Sequence, residues 1–187
     1  FIIKNLTADL LFYTVLISVA FFLFFTTLKE LFIKKFDNIS QTVSHFGFSL
    51  LILSILFNSI LSSEIITNIT IGERYYYNKD EIFFKKIEKR KGSNFNSIIA
   101  SFEIKDKKGK TIELNPEIRI YNQPAIITSE ADIKTTLLDD KFLVMNLVKG
   151  NEYFNIRYQV KPFMVWIWIS VLLLSLGGLM SLFKRKI

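Results

Sequence analysis

The segment "KPFMVWIWISVLLLSLGGLMSLFKRKI", residues 161–187, ends the sequence and decides its class. Residues 163–183 within it carry no charged side chain. An α-helix rises 1.5 Å per residue, so this stretch would form a helix about 30 Å long, which matches the hydrocarbon core of a bilayer. The sequence therefore predicts a membrane protein with a transmembrane helix over residues 162–183.

Two further stretches have the same character. Residues 10–28 are apolar apart from hydroxyl side chains, and residues 43–61 are interrupted only by His45, Asn58 and a few Ser. The first stretch is longer than the apolar region of a signal peptide and lacks a small-residue cleavage pattern after it. We therefore expect two transmembrane helices, about 10–28 and 43–61, within residues 1–61. Because the first residue is Phe rather than Met, we also expect a processed product, a split-gene product or the C-terminal part of a longer protein.

Composition excludes several classes of site. The chain has no cysteine, which excludes disulfides, thiol redox chemistry and thiolate metal sites within these residues. The formal net charge is +7. The Lys residues are spread over loops and strand faces rather than packed in one block, so we expect no binding of nucleic acid.

Residues 62–161 hold most of the charge and alternate between apolar and polar residues, the period of β-strands. Apparent hairpins flank "RKGSN", "DKKGK" and "KGN". The stretch "SEADIKTTLLDD" is compatible with a short helix or a loop. We therefore predict a membrane α-helical protein with an inserted small antiparallel all-β extramembrane domain, a sandwich or barrel of about five to seven strands.

Basic residues in short flanks predict the orientation, because such residues mark the cytoplasmic side of a span. They occupy the connection between the first two spans and the tail, residues 184–187: Lys29, Lys34, Lys35, Lys184, Arg185 and Lys186. We expect these two segments on the cytoplasmic or matrix side. Residues 62–161 would then face the periplasm or the intermembrane space.

The third span carries features of an anchor. Pro162 suits the first turn of a helix, where its missing N–H has no partner to lose. Trp166 and Trp168 would lie at headgroup depth, about 200° apart around the helix. Gly177 and Gly178 would let another helix approach closely. These roles need no chemistry.

His45 is the single histidine, and it lies near the start of the second span. An ionisable group in an apolar helix is costly unless it faces the bundle, so His45 is a candidate functional residue. A neutral imidazole can ligate haem iron or another metal, with partner ligands from elsewhere. The alternative is an interfacial histidine hydrogen-bonded to a backbone or lipid group.

Other candidates are weaker. Glu130, Asp132, Asp139 and Asp140 could form a carboxylate pair or a Ca²⁺ loop, but the ligand spacing of a calcium loop is absent. A solvated loop face is the favoured interpretation. The run Tyr75–Tyr77 should alternate between the core and the surface of a strand, with partner binding as the alternative.

Three segments resemble the CcmF family, the haem lyase subunit of the cytochrome c maturation pathway called system I. The tail shares its Lys-Pro-Phe, Trp-Ile-Trp and Leu-Gly-Gly motifs in order. "EIRIYNQPAIITSEADIKTTLLDDKFLVM" is similar to a strand-rich segment of the family, and "SHFGFSLLIL" is similar to its Ala-His-Leu-Gly span. The resemblance runs from about residue 43 to the end.

The resemblance implies a haem lyase part that helps hold haem b and present it for covalent attachment to the CxxCH of apocytochrome c. It assigns His45 as one of two axial histidine ligands of that haem, with the other ligands outside this chain. The orientation predicted above places His45 nearer the cytoplasmic end of its span. The tryptophan-rich haem motif of the family is not in these residues, so we expect no activity from this chain alone.

The resemblance further implies partners and a location. The partners are apocytochrome c, maturation subunits like CcmH and the haem chaperone CcmE, and the remainder of CcmF. The location is a bacterial or mitochondrial inner membrane. Two alternatives stay open: a docking and anchoring module without a haem ligand, and an unrelated structural subunit of a respiratory or transport complex.

Overall fold

A computed structural model describes residues 2–33, 39–107, 109–148, 150 and 152–184. The chain forms two compact units, one built from the helices and one from Ser62–Lys161. In sequence, the second unit is an insertion between the two parts of the chain that form the first unit, residues 1–61 and 162–187.

The described residues of the first unit form three helices: α1 (Ile2–Ile33), α2 (Ile39–Leu61) and α3 (Met164–Lys184). Residues 11–30, 39–61 and 164–183 of these helices are long and apolar enough to cross a membrane. α1 continues through Lys29 and Glu30, because both residue types favour helix once a helix is nucleated. Lys34, Lys35, Arg185 and Lys186, on which the predicted orientation depends, lie outside the described residues.

The start of α3 differs from the expected one. Pro162 is the last residue of a strand rather than part of the first helical turn. Its carbonyl oxygen accepts a hydrogen bond from Asn58 Nδ2 at 2.6 Å, and Phe163 turns the chain with a φ of +61°. The Phe163 carbonyl then accepts from the backbone N–H of Trp166 and of Ile167. The helix therefore begins at Met164, after a residue in the left-handed region.

α2 packs against both other helices. The hydroxyls of Thr27 in α1 and Ser49 in α2 are buried and 2.9 Å apart. Two aromatic pairs also join these helices: Phe24 meets Phe46, and Phe21 meets Phe57. Buried hydroxyls within an apolar helix pair are stable because each is hydrogen-bonded.

The described residues of the second unit form ten strands in two antiparallel sheets. The strands are β1 (Ser63–Ile69), β2 (Arg74–Tyr77), β3 (Asp80–Lys91), β4 (Phe95–Asp106), β5 (Thr111–Leu114), β6 (Glu117–Tyr121), β7 (Ile127–Glu130), β8 (Asp132–Thr135), β9 (Asp139–Leu147) and β10 (Phe154–Pro162). One sheet has the order β1-β10-β9-β8, and the other has the order β2-β3-β4-β6-β7, with β5 also paired to β4. The expected all-β sandwich is present.

The strand count exceeds the predicted five to seven. Four of the strands, β2, β5, β7 and β8, have only four residues each. Four residues give too few alternations to separate a strand from a turn in sequence. The stretch that was compatible with a short helix or a loop contains the end of β7, all of β8 and the start of β9. Between β7 and β8 the chain passes from one sheet to the other.

The core lies between the sheets and is built from the inward residues of the alternating strands. Phe84 and Phe102 stack with ring centroids 4.3 Å apart, and Phe154 meets Phe84 edge-on. Each fully buried side chain of this size stabilises the fold by about 1.5–3 kcal/mol relative to an exposed one. Among the described residues, this buried core comprises Ile69, Ile82, Phe84, Ala100, Phe102, Ile104, Leu114, Ile118, Leu143, Met145, Ile156 and Tyr158.

Candidate functional site

His45 lies in the second turn of α2, on a face that is exposed within the described helices. Three other residues of α2 are exposed as well: Gln41 is four residues before His45, Phe48 is three residues after it, and Ile55 is seven residues after Phe48. These spacings place all four residues on one side of the helix. We call these four residues the open face of α2. His45 is six positions after Ile39 and sixteen positions before Leu61. At 1.5 Å per residue, it lies about 9 Å from the start of α2 and about 24 Å from its end.

The neighbours of His45 along α2 point to the other two helices. Ser44 lies beside Gly177 of α3, and Phe46 lies beside Phe24 of α1. One residue rotates the direction of a side chain by 100°, so His45 points away from both packed sides. The open face is therefore the side of α2 that contacts neither α1 nor α3 in the described residues.

His45 is the single imidazole of the sequence, so α2 presents one such metal-ligating group on its open face. The described residues contain no group of three or more His, Cys, Asp or Glu side chains that could hold a metal ion. An imidazole on an apolar helix face could supply one ligand to haem iron, and Phe48, one turn further along α2, offers apolar surface to a porphyrin. His45 and its surroundings therefore fit one ligand position of a haem site.

The tryptophans and glycines of α3 divide by role. Trp166 is half-buried and Trp168 is 66% exposed, in keeping with their different directions on the helix. Gly177 is buried at a close approach to α2, whereas a Cβ at Gly178 would meet nothing within 4 Å. The predicted close approach is confirmed for Gly177 and wrong for Gly178.

Three of the four carboxylates of residues 130–140 accept hydrogen bonds from within the sandwich. Asp132 accepts hydrogen bonds from the backbone N–H groups of Asn115 and Ile133, and Asp139 accepts one from the Thr136 hydroxyl. Glu130 accepts from the hydroxyl of Thr128. These hydrogen bonds stabilise the local structure of the sandwich.

Asp140 departs from the expected solvated loop. Its side chain is 7% exposed, and its Oδ1 atom has no hydrogen-bond partner among the described residues. Burial raises the pKa of this carboxyl above its ordinary value, against a hydrogen bond from Thr135 that lowers it.

The tyrosine run alternates as predicted. Tyr75 and Tyr77 pack against the core, and Tyr76 is 71% exposed. The Tyr77 hydroxyl donates to the Glu64 carbonyl oxygen at 2.9 Å, and its ring meets Tyr158 edge-on. Two of the three tyrosines are therefore structural.

A buried polar cluster between the two sheets was not foreseen from sequence. Asp80 Oδ2 accepts a 2.6 Å hydrogen bond from the Tyr158 hydroxyl, and Asp80 Oδ1 forms a 2.8 Å ion pair with Lys141 Nζ. Burial, together with this hydrogen bond to a carboxylate, raises the pKa of Tyr158. The three residues lie in β3, β9 and β10, so no local pattern connects them.

Comparison with known proteins identifies the fold and the family. A family model described as the CcmF C-terminal beta-sandwich matches residues 60–162. The solved structure of Cytochrome c Heme Lyase CcmF has a TM-score of 0.59 to this chain at 20% sequence identity. The matched region is 75% of this chain and 24% of the chain in that structure. That structural likeness shows the fold.

Relatives by sequence agree. The cytochrome c-type biogenesis protein NrfE of Haemophilus influenzae is 26% identical over 176 residues, which are 92% of this chain and 28% of the relative. The cytochrome c-type biogenesis protein ccl1 of Rhodobacter capsulatus is 36% identical over 100 residues, 54% of this chain and 15% of the relative. CcmF of Escherichia coli is 27% identical over 147 residues, 78% of this chain and 23% of the relative.

The chain thus spans less than a third of the length of these relatives. Its matched segment includes every strand of the sandwich, from β1 to β10, and more than half of the chain. The three apolar helices that accompany the sandwich make it a membrane protein. The chain belongs to the CcmF family and corresponds to its C-terminal portion.

Proposed function

We propose that this chain is the C-terminal part of a cytochrome c haem lyase subunit, which helps hold haem and present it for covalent attachment to apocytochrome c. The observation that carries the proposal is the position of His45 on the open face of α2. Membership of the CcmF family supports it. The whole activity belongs to a longer protein, of which this chain supplies a part.

In this proposal, His45 donates a ring-nitrogen lone pair to the iron of haem b as one axial ligand. The family resemblance implies a second histidine ligand, and that residue comes from outside this chain, since His45 is its single histidine. Haem supplies two vinyl groups, and each CxxCH thiol adds its sulfur to one vinyl carbon and its hydrogen to the other. The contribution of the protein is to hold the reactants in place.

The β-sandwich faces the periplasm or the intermembrane space in this proposal. The support is the basic flank of the first two spans, which includes Lys29, and the basic tail after α3. The sandwich then meets apocytochrome c and maturation subunits like CcmH and CcmE, while the helices pack with the remainder of the family protein. The membrane is the inner membrane of a bacterium or a mitochondrion.

A docking and anchoring module without a haem ligand is the second candidate. Exposed apolar side chains on the sandwich favour it, since such residues are enriched where partners bind. Leu137 and Leu138, in the loop between β8 and β9, are 67% and 68% exposed. The two candidates differ in what they require of His45.

The test replaces His45 with Ala in the complete family protein. Covalent cytochrome c is measured by haem staining after denaturing electrophoresis, and bound haem is measured by the absorption spectrum of the purified protein. Ile55→Ala is the matched control, because Ile55 lies on the same face about 15 Å further along α2.

Loss of both signals in His45→Ala alone, at equal membrane abundance, supports the haem-ligand role. Normal bound haem in His45→Ala overturns that role. If docking is the function instead, Leu137→Ser with Leu138→Ser lowers covalent cytochrome c while bound haem stays at the parent level.

A further inference from the structure

Gly177 lets the backbone of α3 meet the residue next to His45. A Cβ added at Gly177 would overlap the Ser44 hydroxyl and would lie 2.6 Å from Ser44 N and 2.8 Å from Ser40 O. Two of these three atoms belong to the backbone, so a side-chain rotation cannot relieve the overlap. Any residue larger than glycine at this position has to move one helix relative to the other.

Gly47 makes the reciprocal contact from α2. A Cβ there would lie 2.7 Å from Leu174 N and 3.0 Å from Ser170 O, both backbone atoms of α3. Ser44 meets Gly177 and Gly47 meets Leu174, so the two helices run antiparallel. The two close approaches occur on either side of His45 in sequence.

α1 holds the remaining side of α2 within the same short segment. Phe46 meets Phe24 with ring centroids 5.6 Å apart, and the Ser49 hydroxyl lies 2.9 Å from that of Thr27. Four residues around His45 are therefore committed to neighbouring helices: Ser44, Phe46, Gly47 and Ser49. These contacts fix the height of His45 along the helix axis and the direction in which its side chain leaves α2.

We infer that Gly47 and Gly177 are positioning residues for His45, and that their close contacts set where the imidazole meets haem iron. This inference rests on the proposed haem-ligand role of His45. Neither glycine touches the haem in this account. They act through the backbone of α2, which an added methyl group would displace.

Gly178 provides a matched control for Gly177. A Cβ at Gly178 would meet nothing within 4 Å, although the residue is the sequence neighbour of Gly177 on the same helix. Replacing either glycine with Ala raises intrinsic helix propensity by the same amount. Gly177→Ala and Gly178→Ala therefore differ chiefly in the contact with α2.

The experiment compares the two variants in the complete protein, purified at equal abundance. Gly177→Ala is expected to weaken haem binding on the order of tenfold, the scale on which ligand-orienting groups act. The haem that remains should show a shifted absorption maximum and a shifted midpoint potential, because the ligand geometry has changed. Gly178→Ala should match the parent in all three measurements.

A parental spectrum, potential and haem affinity in Gly177→Ala would overturn the inference. Lower protein abundance with an unchanged spectrum would also overturn it, since that result describes a purely structural role. If Gly177→Ala does not accumulate, Gly47→Ala is the second variant and should show the same spectral shift.

His45→Ala, measured in parallel, separates the two proposals. Retained haem in that variant removes the proposed function itself. Lost haem in His45→Ala, combined with a parental Gly177→Ala, leaves the function standing and removes only the positioning role.

Discussion

The hydroxyl of Tyr158 donates a hydrogen bond to the carboxylate of Asp80 at 2.6 Å, across the two sheets of the sandwich. The residues are 78 positions apart in sequence, and both are buried. Lys141 Nζ completes the cluster at 2.8 Å from the other carboxylate oxygen. A buried carboxylate is tolerated here because a cation and a hydroxyl satisfy both of its oxygens.

Replacing Tyr158 with Phe removes the hydroxyl and keeps the ring. The Asp80 carboxylate then loses a hydrogen bond to a charged acceptor, and we expect the free energy of unfolding to fall by about 1.5–3 kcal/mol. Thermal unfolding of the full chain followed by circular dichroism measures this loss. Tyr153→Phe, in the loop before β10, is the control, and an equal change in both variants would contradict the prediction.

Replacing Lys141 with Met leaves the Asp80 carboxylate buried without its cation. We expect this single change to lower the free energy of unfolding by about 3–5 kcal/mol, the scale for breaking a buried ion pair. The double variant Asp80→Asn with Lys141→Met should recover part of that loss, since no buried charge remains. Additive losses in the double variant, measured by the same unfolding transitions, would show that the two charges do not interact.

Asp140 should make stability depend on pH. Its folded pKa is raised above the ordinary value of 3.8 by burial, so the folded state holds the proton more tightly than the unfolded state does. Stability associated with this group is present below pH 3.8 and is lost as pH rises through the folded pKa. Asp140→Asn should therefore stabilise the protein at pH 7 more than at pH 4.

The measurement is the unfolding midpoint of Asp140→Asn and of the parent at both pH values. Asp106→Asn is the control, because Asp106 lies on an exposed hairpin where its carboxylate accepts the Lys110 backbone N–H. A difference between Asp140→Asn and the parent that is the same at pH 4 and pH 7 would contradict the predicted linkage.

The hydrogen bond between Thr27 and Ser49 should contribute modestly to the association of α1 with α2. Ser49→Ala is expected to weaken the helix pair by about 0.6 kcal/mol, the average for such bonds in membranes. Ser59→Ala is the control, since Ser59 is exposed at the far end of α2. Reversible unfolding in mixed micelles measures both variants, and equal stabilities would show that the bond contributes nothing.

The local sequence pattern predicted those helices and strands whose apolar or alternating pattern extends over many consecutive residues. Three apolar stretches of about twenty residues could be read as spans, because hydrophobic length is a property of consecutive residues. The paired strands β3 and β4, with twelve residues each, were equally visible as an alternating hairpin. The strands β7 and β8 and the helix start at Met164 were not visible in the local pattern, since β7 and β8 are defined by pairing with strands β6 and β9 and the Pro162 carbonyl is held by Asn58.

For the candidate site, sequence alone determined that one histidine lies inside an apolar span and that no thiol accompanies it. Only the tertiary structure decided which way that histidine points. The direction follows from the close backbone approach at Gly177, the rings of Phe24 and Phe46, and the hydroxyl pair of Thr27 and Ser49. Helix periodicity assigns residues to faces, but which face is covered depends on packing with helices that are distant in sequence.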